Sequence, residues 1–132
     1  MKNKILIFAS LMLVTAMLTA CASAASGPQT LTEADNGKTI QLQTGDRFVV
    51  ELDGNFTTGY SWEAVFPGGS IVKQVGQAEF TPESNKLGAG GKIVLTFEAV
   101  TPGQQPLQMV YHRPFESDVA PLKSFTVNVV VK

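Results

Sequence analysis

Beyond residue 30 the chain is dominated by alternation of apolar and polar positions. In 91–100, Ile93, Leu95, Phe97 and Ala99 fall on one face, and Lys92, Thr96 and Glu98 on the other. Phe125, Val127, Val129 and Val131 alternate with Thr126 and Asn128. Phe48, Val50 and Leu52 alternate with Arg47, Val49 and Glu51. A period of two marks a strand with one buried face. No stretch beyond residue 30 repeats apolar residues at helical spacing over three turns. The pattern predicts seven strands, near 39–42, 47–52, 60–66, 71–80, 92–100, 106–112 and 122–131. Thr44-Gly45-Asp46, Pro67-Gly68-Gly69 and Thr101-Pro102-Gly103 supply turns between them. Short strands at this spacing predict an all-β, immunoglobulin-like antiparallel β-sandwich of seven to eight strands, with Trp62 as a core aromatic.

The first twenty residues do not belong to that pattern. A cationic start, Met1-Lys2-Asn3-Lys4, precedes the uncharged run 5–18, which is shorter than the roughly 18–20 residues of a membrane span. It has the form of a secretory signal peptide. Leu18-Thr19-Ala20-Cys21 resembles the bacterial lipobox, in which the Cys is lipidated and becomes the mature N-terminus. Ordinary cleavage after Ala24, at Ala22-Ser23-Ala24, is the alternative. Lipidation is favoured because Cys21 is the only cysteine of the chain, and a lone free thiol in an exported protein has no other evident use. The expected organisation is a signal peptide at 1–20, a flexible tether at 21–30 carrying lipidated Cys21, and one domain at 31–132. Ala22 in place of Asp, by resemblance to Gram-negative lipoproteins, implies an outer-membrane anchor facing the periplasm or the cell surface.

Charge and inventory then close several function classes. The chain of 132 residues carries 10 Lys+Arg against 11 Asp+Glu. Lys2 and Lys4 leave with the signal, so 8 remain against 11, a net of −3. That balance offers no basic face for nucleic acid. One Cys and one His cannot build a zinc site of three or four N/S ligands, so no metal or cofactor is implied. A nucleophilic enzyme needs a base beside its Ser or Cys. His112 has no Ser in a nucleophile elbow, Cys21 belongs to the anchor, and Glu116 and Asp118 lie on a loop without an acid/base partner.

Three connections are chemically unlike plain turns. Asn55-Phe56-Thr57-Thr58-Gly59-Tyr60 combines hydroxyls with a glycine. Leu87-Gly88-Ala89-Gly90-Gly91 presents mostly backbone N–H and C=O groups. Arg113-Pro114-Phe115 sets an apolar ring beside a stiffening proline, and exposed aromatic and Arg residues are enriched in interface hot spots. Alternate connections of an antiparallel sandwich emerge at one pole, so these three loops should cluster.

The three loops resemble those of the chagasin family of cysteine-protease inhibitors, whose patterns are Asn-Pro-Thr-Thr-Gly-aromatic, Gly-x-Gly-Gly and Arg-Pro-aromatic. Asn55, Thr57, Thr58, Gly59 and Tyr60 match the first; Gly88, Gly90 and Gly91 match the second; Arg113, Pro114 and Phe115 match the third. Phe56 stands where the family usually has Pro, which removes a restraint on the free loop and leaves Phe56 to pack on the protease or on Tyr60. The resemblance implies reversible, competitive inhibition by a monomer whose partner is a papain-like cysteine protease. Thr57 and Thr58 would enter the cleft, with Thr57 facing the catalytic His. Phe115 and Arg113 would lie on one side and Gly88 to Gly91 on the other. Each residue also has a local alternative: turn-capping hydroxyls, hairpin glycines, a buried corner for Phe115. A rival function is a non-inhibitory immunoglobulin-like envelope lipoprotein that binds another protein through the same pole.

Overall fold

The computed structural model describes residues 27–66 and 68–132. The signal peptide, Cys21 and the tether as far as residue 26 lie outside the described residues. Eight strands are formed: β1 (Gln29–Leu31), β2 (Thr39–Leu42), β3 (Arg47–Gly54), β4 (Ser61–Val65), β5 (Val72–Pro82), β6 (Gly91–Ala99), β7 (Gly103–His112) and β8 (Lys123–Val131). They make two four-stranded sheets, in the orders β1-β3-β6-β5 and β2-β8-β7-β4.

All seven strands expected from the alternation are present, and the sandwich is the expected one except that its sheets are mixed rather than wholly antiparallel. The eighth, β1, carries Gln29 and Thr30, which the composition had placed in the tether. Three residues are too few to display a period of two, yet Leu31 is 1% exposed and β1 pairs with β3 from Gln29↔Phe48 to Leu31↔Val50. Two of the six strand pairings are parallel, β1 with β3 and β2 with β8, and four are antiparallel. The cause is topological. The chain runs up and down in turn, so two odd-numbered or two even-numbered neighbours must point the same way.

Alternation sets the core. Along β6 every second residue from Gly91 to Ala99 is buried, and along β8 Phe125, Val127, Val129 and Val131 turn inward. Phe48 and Phe97 stack with ring centroids 5.3 Å apart, between strands paired Phe48↔Phe97. Trp62 is in the core, as its strand position predicts, and its Nε1 donates to the Asp53 carbonyl at 3.0 Å. Burial of one such side chain contributes roughly 1.5–3 kcal/mol. No polar or charged residue is buried among the described residues, so this core is specified by shape and patterning alone.

The up-and-down path sorts the connections. The β1–β2, β3–β4, β5–β6 and β7–β8 connections emerge at one pole, and β2–β3, β4–β5 and β6–β7 at the other. The three chemically distinctive loops belong to the first group. The chain enters through β1 at the second.

Candidate functional site

The β3–β4 loop is built around Asn55. Its side-chain Oδ1 accepts from the Thr57 N–H at 3.0 Å and from Thr57 Oγ1 at 2.6 Å. Phe56–Thr58 thereby form one 3-10 turn with Asn55 as its N-cap. Thr58 Oγ1 donates back to the Asn55 carbonyl at 2.7 Å. The turn ends at Gly59, whose φ of +79° favours glycine, and a Cβ there would also lie 3.2 Å from the Phe115 ring.

The β5–β6 connection closes with Glu83 N–H on the Gly90 carbonyl (3.0 Å) and Ala89 N–H on the Lys86 carbonyl (3.1 Å). Leu87, at its tip, is fully exposed. Gly91 begins β6 so close to its neighbour that a Cβ would sit 2.1 Å from the Thr81 carbonyl oxygen, whereas Gly90 has ordinary room. In the β7–β8 loop the Glu116 N–H donates to the Arg113 carbonyl at 3.0 Å, and Phe115 stands 73% exposed. Pro114 is exposed beside it.

Side chains join the three loops into one surface, as strand order predicts. Asn55 Nδ2 donates to the Gly88 carbonyl at 2.9 Å, tying the first loop to the second. Arg113 Nε donates to the Thr58 carbonyl at 3.1 Å, tying the third to the first. The Arg113 guanidinium also lies 4.5 Å from the Tyr60 ring centre and pairs with Glu116 at 3.1 Å. Below it, Tyr60 stacks on Tyr111 at 5.3 Å and Tyr111 packs on Trp62 at 5.2 Å. This column carries the loops down onto the core. The Tyr111 hydroxyl also accepts the Asn55 N–H at 2.9 Å.

Beneath the first two loops, Lys92 pairs with Asp53 at the register position next to Gly54↔Gly91. The hydrogen bond with Asp53, and the nearby carboxylates of Glu33 and Glu51, hold the Lys92 ammonium above its ordinary 10.5. Its charge is thus matched locally. Among the described residues no group of three or more His, Cys, Asp or Glu side chains converges to hold a metal ion. The surface therefore offers apolar tips, hydroxyls and backbone groups, the chemistry of docking to a cleft.

The model of the Chagasin family peptidase inhibitor I42 matches residues 41–129, which contain all three loops. The chain belongs to the chagasin family. It is 30% identical over 103 residues to chagasin of Trypanosoma cruzi, covering 74% of this chain and 92% of that protein. It is 27% identical over 114 residues to amoebiasin-2 of Entamoeba histolytica, covering 85% and 92%. Among solved structures, the cysteine protease inhibitor EhICP2 of Entamoeba histolytica superposes with a TM-score of 0.67 at 26% identity, over 80% of this chain and all of that one. The solution structure of Amebosin gives 0.67 at 28%, over 81% and 100%.

Several contributors to this chagasin-family site were not evident from the sequence. Phe56, left open between the protease and Tyr60, packs within the chain on Phe80 of β5 rather than on Tyr60, with centroids 5.1 Å apart. Tyr111 bears both the Asn55 N–H and the Tyr60 ring, and its only signal was an inward position on β7. Glu116 looked like an isolated loop carboxylate, although its place three residues after Arg113 was a readable cue. His112 lies at the end of β7 with Nε2 2.6 Å from Glu63 Oε2, paired along the sheet rather than with a nucleophile.

Proposed function

We propose that this protein is a reversible, competitive inhibitor of papain-like cysteine proteases, and not an enzyme, that seats the loops at 55–60, 87–91 and 113–115 in the active-site cleft. The observation that carries this is the interlocking of the loops: Asn55 and Arg113 hold three apolar and hydroxyl-bearing tips in one fixed arrangement before any partner arrives. Pre-ordering lowers the entropy cost of association. Thr57 has a defined role within it. Its hydroxyl proton is committed to Asn55, so toward a protease its Oγ1 is an acceptor, suited to the N–H of the catalytic imidazole. Phe115 and Leu87, exposed at the tips of the third and second loops, supply apolar surface, and Gly88 to Gly90 supply backbone groups, whereas Gly91 is buried between β3 and β5. One chain carries all three loops, so a single copy suffices to seat them. Protease–inhibitor interfaces bury about 1,600 Å² in total, within reach of three tips on one pole.

Titration of papain and cathepsin L with the protein tests this. The expected result is a raised apparent KM at unchanged kcat, with activity returning on dilution. Both proteases remaining fully active at micromolar protein would overturn it.

We also propose that Cys21 is lipidated and anchors the domain to a bacterial membrane, as the lipobox-like segment suggests. What supports such a placement is that β1 begins at the pole opposite the loops, so an anchor on that side would not cover them. Labelling with a radioactive fatty acid should mark the protein, and Cys21→Ser should abolish the label; equal labelling of both would refute the anchor.

A further inference from the structure

Phe56 is the one residue of the first loop that departs from the pattern it resembles, and its surroundings are specific. It opens the 3-10 turn that presents Thr57 and Thr58, and its ring rests on Phe80 at 5.1 Å with an interplanar angle of 32°. Phe80 is half-buried, packed against the core, and paired with Ile93 across β5 and β6. The ring contact therefore fastens the tip of the first loop to the hairpin that carries the second. Asn55 Nδ2 on the Gly88 carbonyl ties the same two loops at another point. Two separate attachments between two loops remove their relative motion in a way that either alone would not.

The backbone here is also ready for proline. Asn55 is extended at φ −149°, ψ 103°, a conformation compatible with a following proline. Phe56 holds the first position of the turn, where an N–H has no partner within the turn and proline is well tolerated.

We propose that Phe56 is a positioning residue: through Phe80 it fixes the turn bearing Thr57 and Thr58, ordering by side-chain packing a turn that a proline would order by fixing φ. Phe80 is the second half of this device and lies on β5, outside the three loops. The inference rests on the inhibitory reading of the loops, and its test separates the two. If the turn loosens, the competent fraction of free inhibitor falls, which slows association and leaves dissociation unchanged. Loss of a direct contact would instead speed dissociation.

The experiment is a cycle of Phe80→Leu and Phe56→Pro, with papain association and dissociation rates, thermal melting, and amide exchange of Thr57 to Gly59 in the free protein. F80L keeps apolar packing on the core but loses the ring pair. It should slow association by roughly threefold to tenfold and speed amide exchange in the turn. In the F56P background the same F80L change should have no effect on either. The proposal fails if F80L leaves association and exchange unchanged, or if F56P does not suppress its effect. It fails also if Phe56→Ala raises dissociation alone, which would make Phe56 a protease contact. Absence of inhibition by every variant, wild type included, would overturn the inhibitory function, while the exchange data would still decide whether Phe56 and Phe80 order the turn.

Discussion

The two poles of the sandwich close the same strands with different emphasis. At the pole where the chain enters, backbone groups of the turns bond to strand ends: Gly45 N–H to the Ala99 carbonyl at 2.8 Å, Ala99 N–H to the Asp46 carbonyl at 2.9 Å, Thr44 N–H to the Lys132 carbonyl at 3.0 Å. At the other pole the loops are held by one another's side chains, through Asn55, Arg113 and the Tyr60–Tyr111 stack, and they leave Leu87 and Phe115 uncovered. A turn that only reverses the chain needs its backbone satisfied and nothing more. A surface meant for a partner must stay rigid while its apolar tips remain unburied, so order has to come from lateral ties.

If the poles differ in this way, substitutions should separate affinity from stability. The largest effect is expected for Phe115→Ala combined with Gly90→Glu. Phe115 is exposed, and a Cβ at Gly90 would meet the Gly54 carbonyl only at ordinary contact distance, so the inhibition constant should rise by about a hundredfold or more while the melting temperature barely moves. A large loss of stability would place these residues in the scaffold. Arg113→Ala comes next. It removes the tie to Thr58, the contact with Tyr60 and the pair with Glu116, and should weaken inhibition by roughly 30-fold, about 2 kcal/mol. Arg113→Lys should recover only part of this, since an ammonium lacks the planar fork that serves Thr58 and Glu116 together. Inhibition assays on the three proteins decide it.

At the opposite pole the pattern should invert. Gly45 has a φ of +95°, so Gly45→Ala should cost about 1–2 kcal/mol of folding stability in urea denaturation. Its inhibition constant should match wild type; a weakened inhibitor would show that the poles are coupled. The smallest effect concerns the outer face of the β1-containing sheet. Hydrogen bonds from Arg47 and Lys73 hold the Glu98 carboxyl below its ordinary 4.5. A lowered folded-state value stabilises the fold above the ordinary range and loses that contribution as pH falls through it. Glu98→Gln should therefore be slightly less stable than wild type at neutral pH. The two melting curves should converge in acid, and because the group is screened by solvent the gap should be small.

Different parts of the molecule were legible for different reasons. β6 and β8 were plain because their inward residues recur at every second position, over nine residues in β6 and seven in β8. β1 was hidden because Gln29-Thr30-Leu31 has one inward residue, which reaches the core only once β1 is aligned beside β3. Among site residues, Thr57, Thr58, Gly59, Gly88 and Phe115 were legible as loop chemistry. Phe80 and Tyr111 were not: on β5 and β7 they look like any strand aromatic, and their link to the loops exists only across the hairpins.

Taken alone, the sequence determined seven of the eight strands, their inward faces and the three loops, since these follow from local periodicity and turn chemistry. It also carried the family pattern. Only the tertiary structure decided that β1 joins the sheet, that the edge pairings run parallel, and that Phe56 turns to Phe80 rather than to Tyr60. Those outcomes depend on contacts between residues distant along the chain, such as Phe56 with Phe80 and Asn55 with Tyr111, and no local pattern encodes which distant partner a side chain will meet.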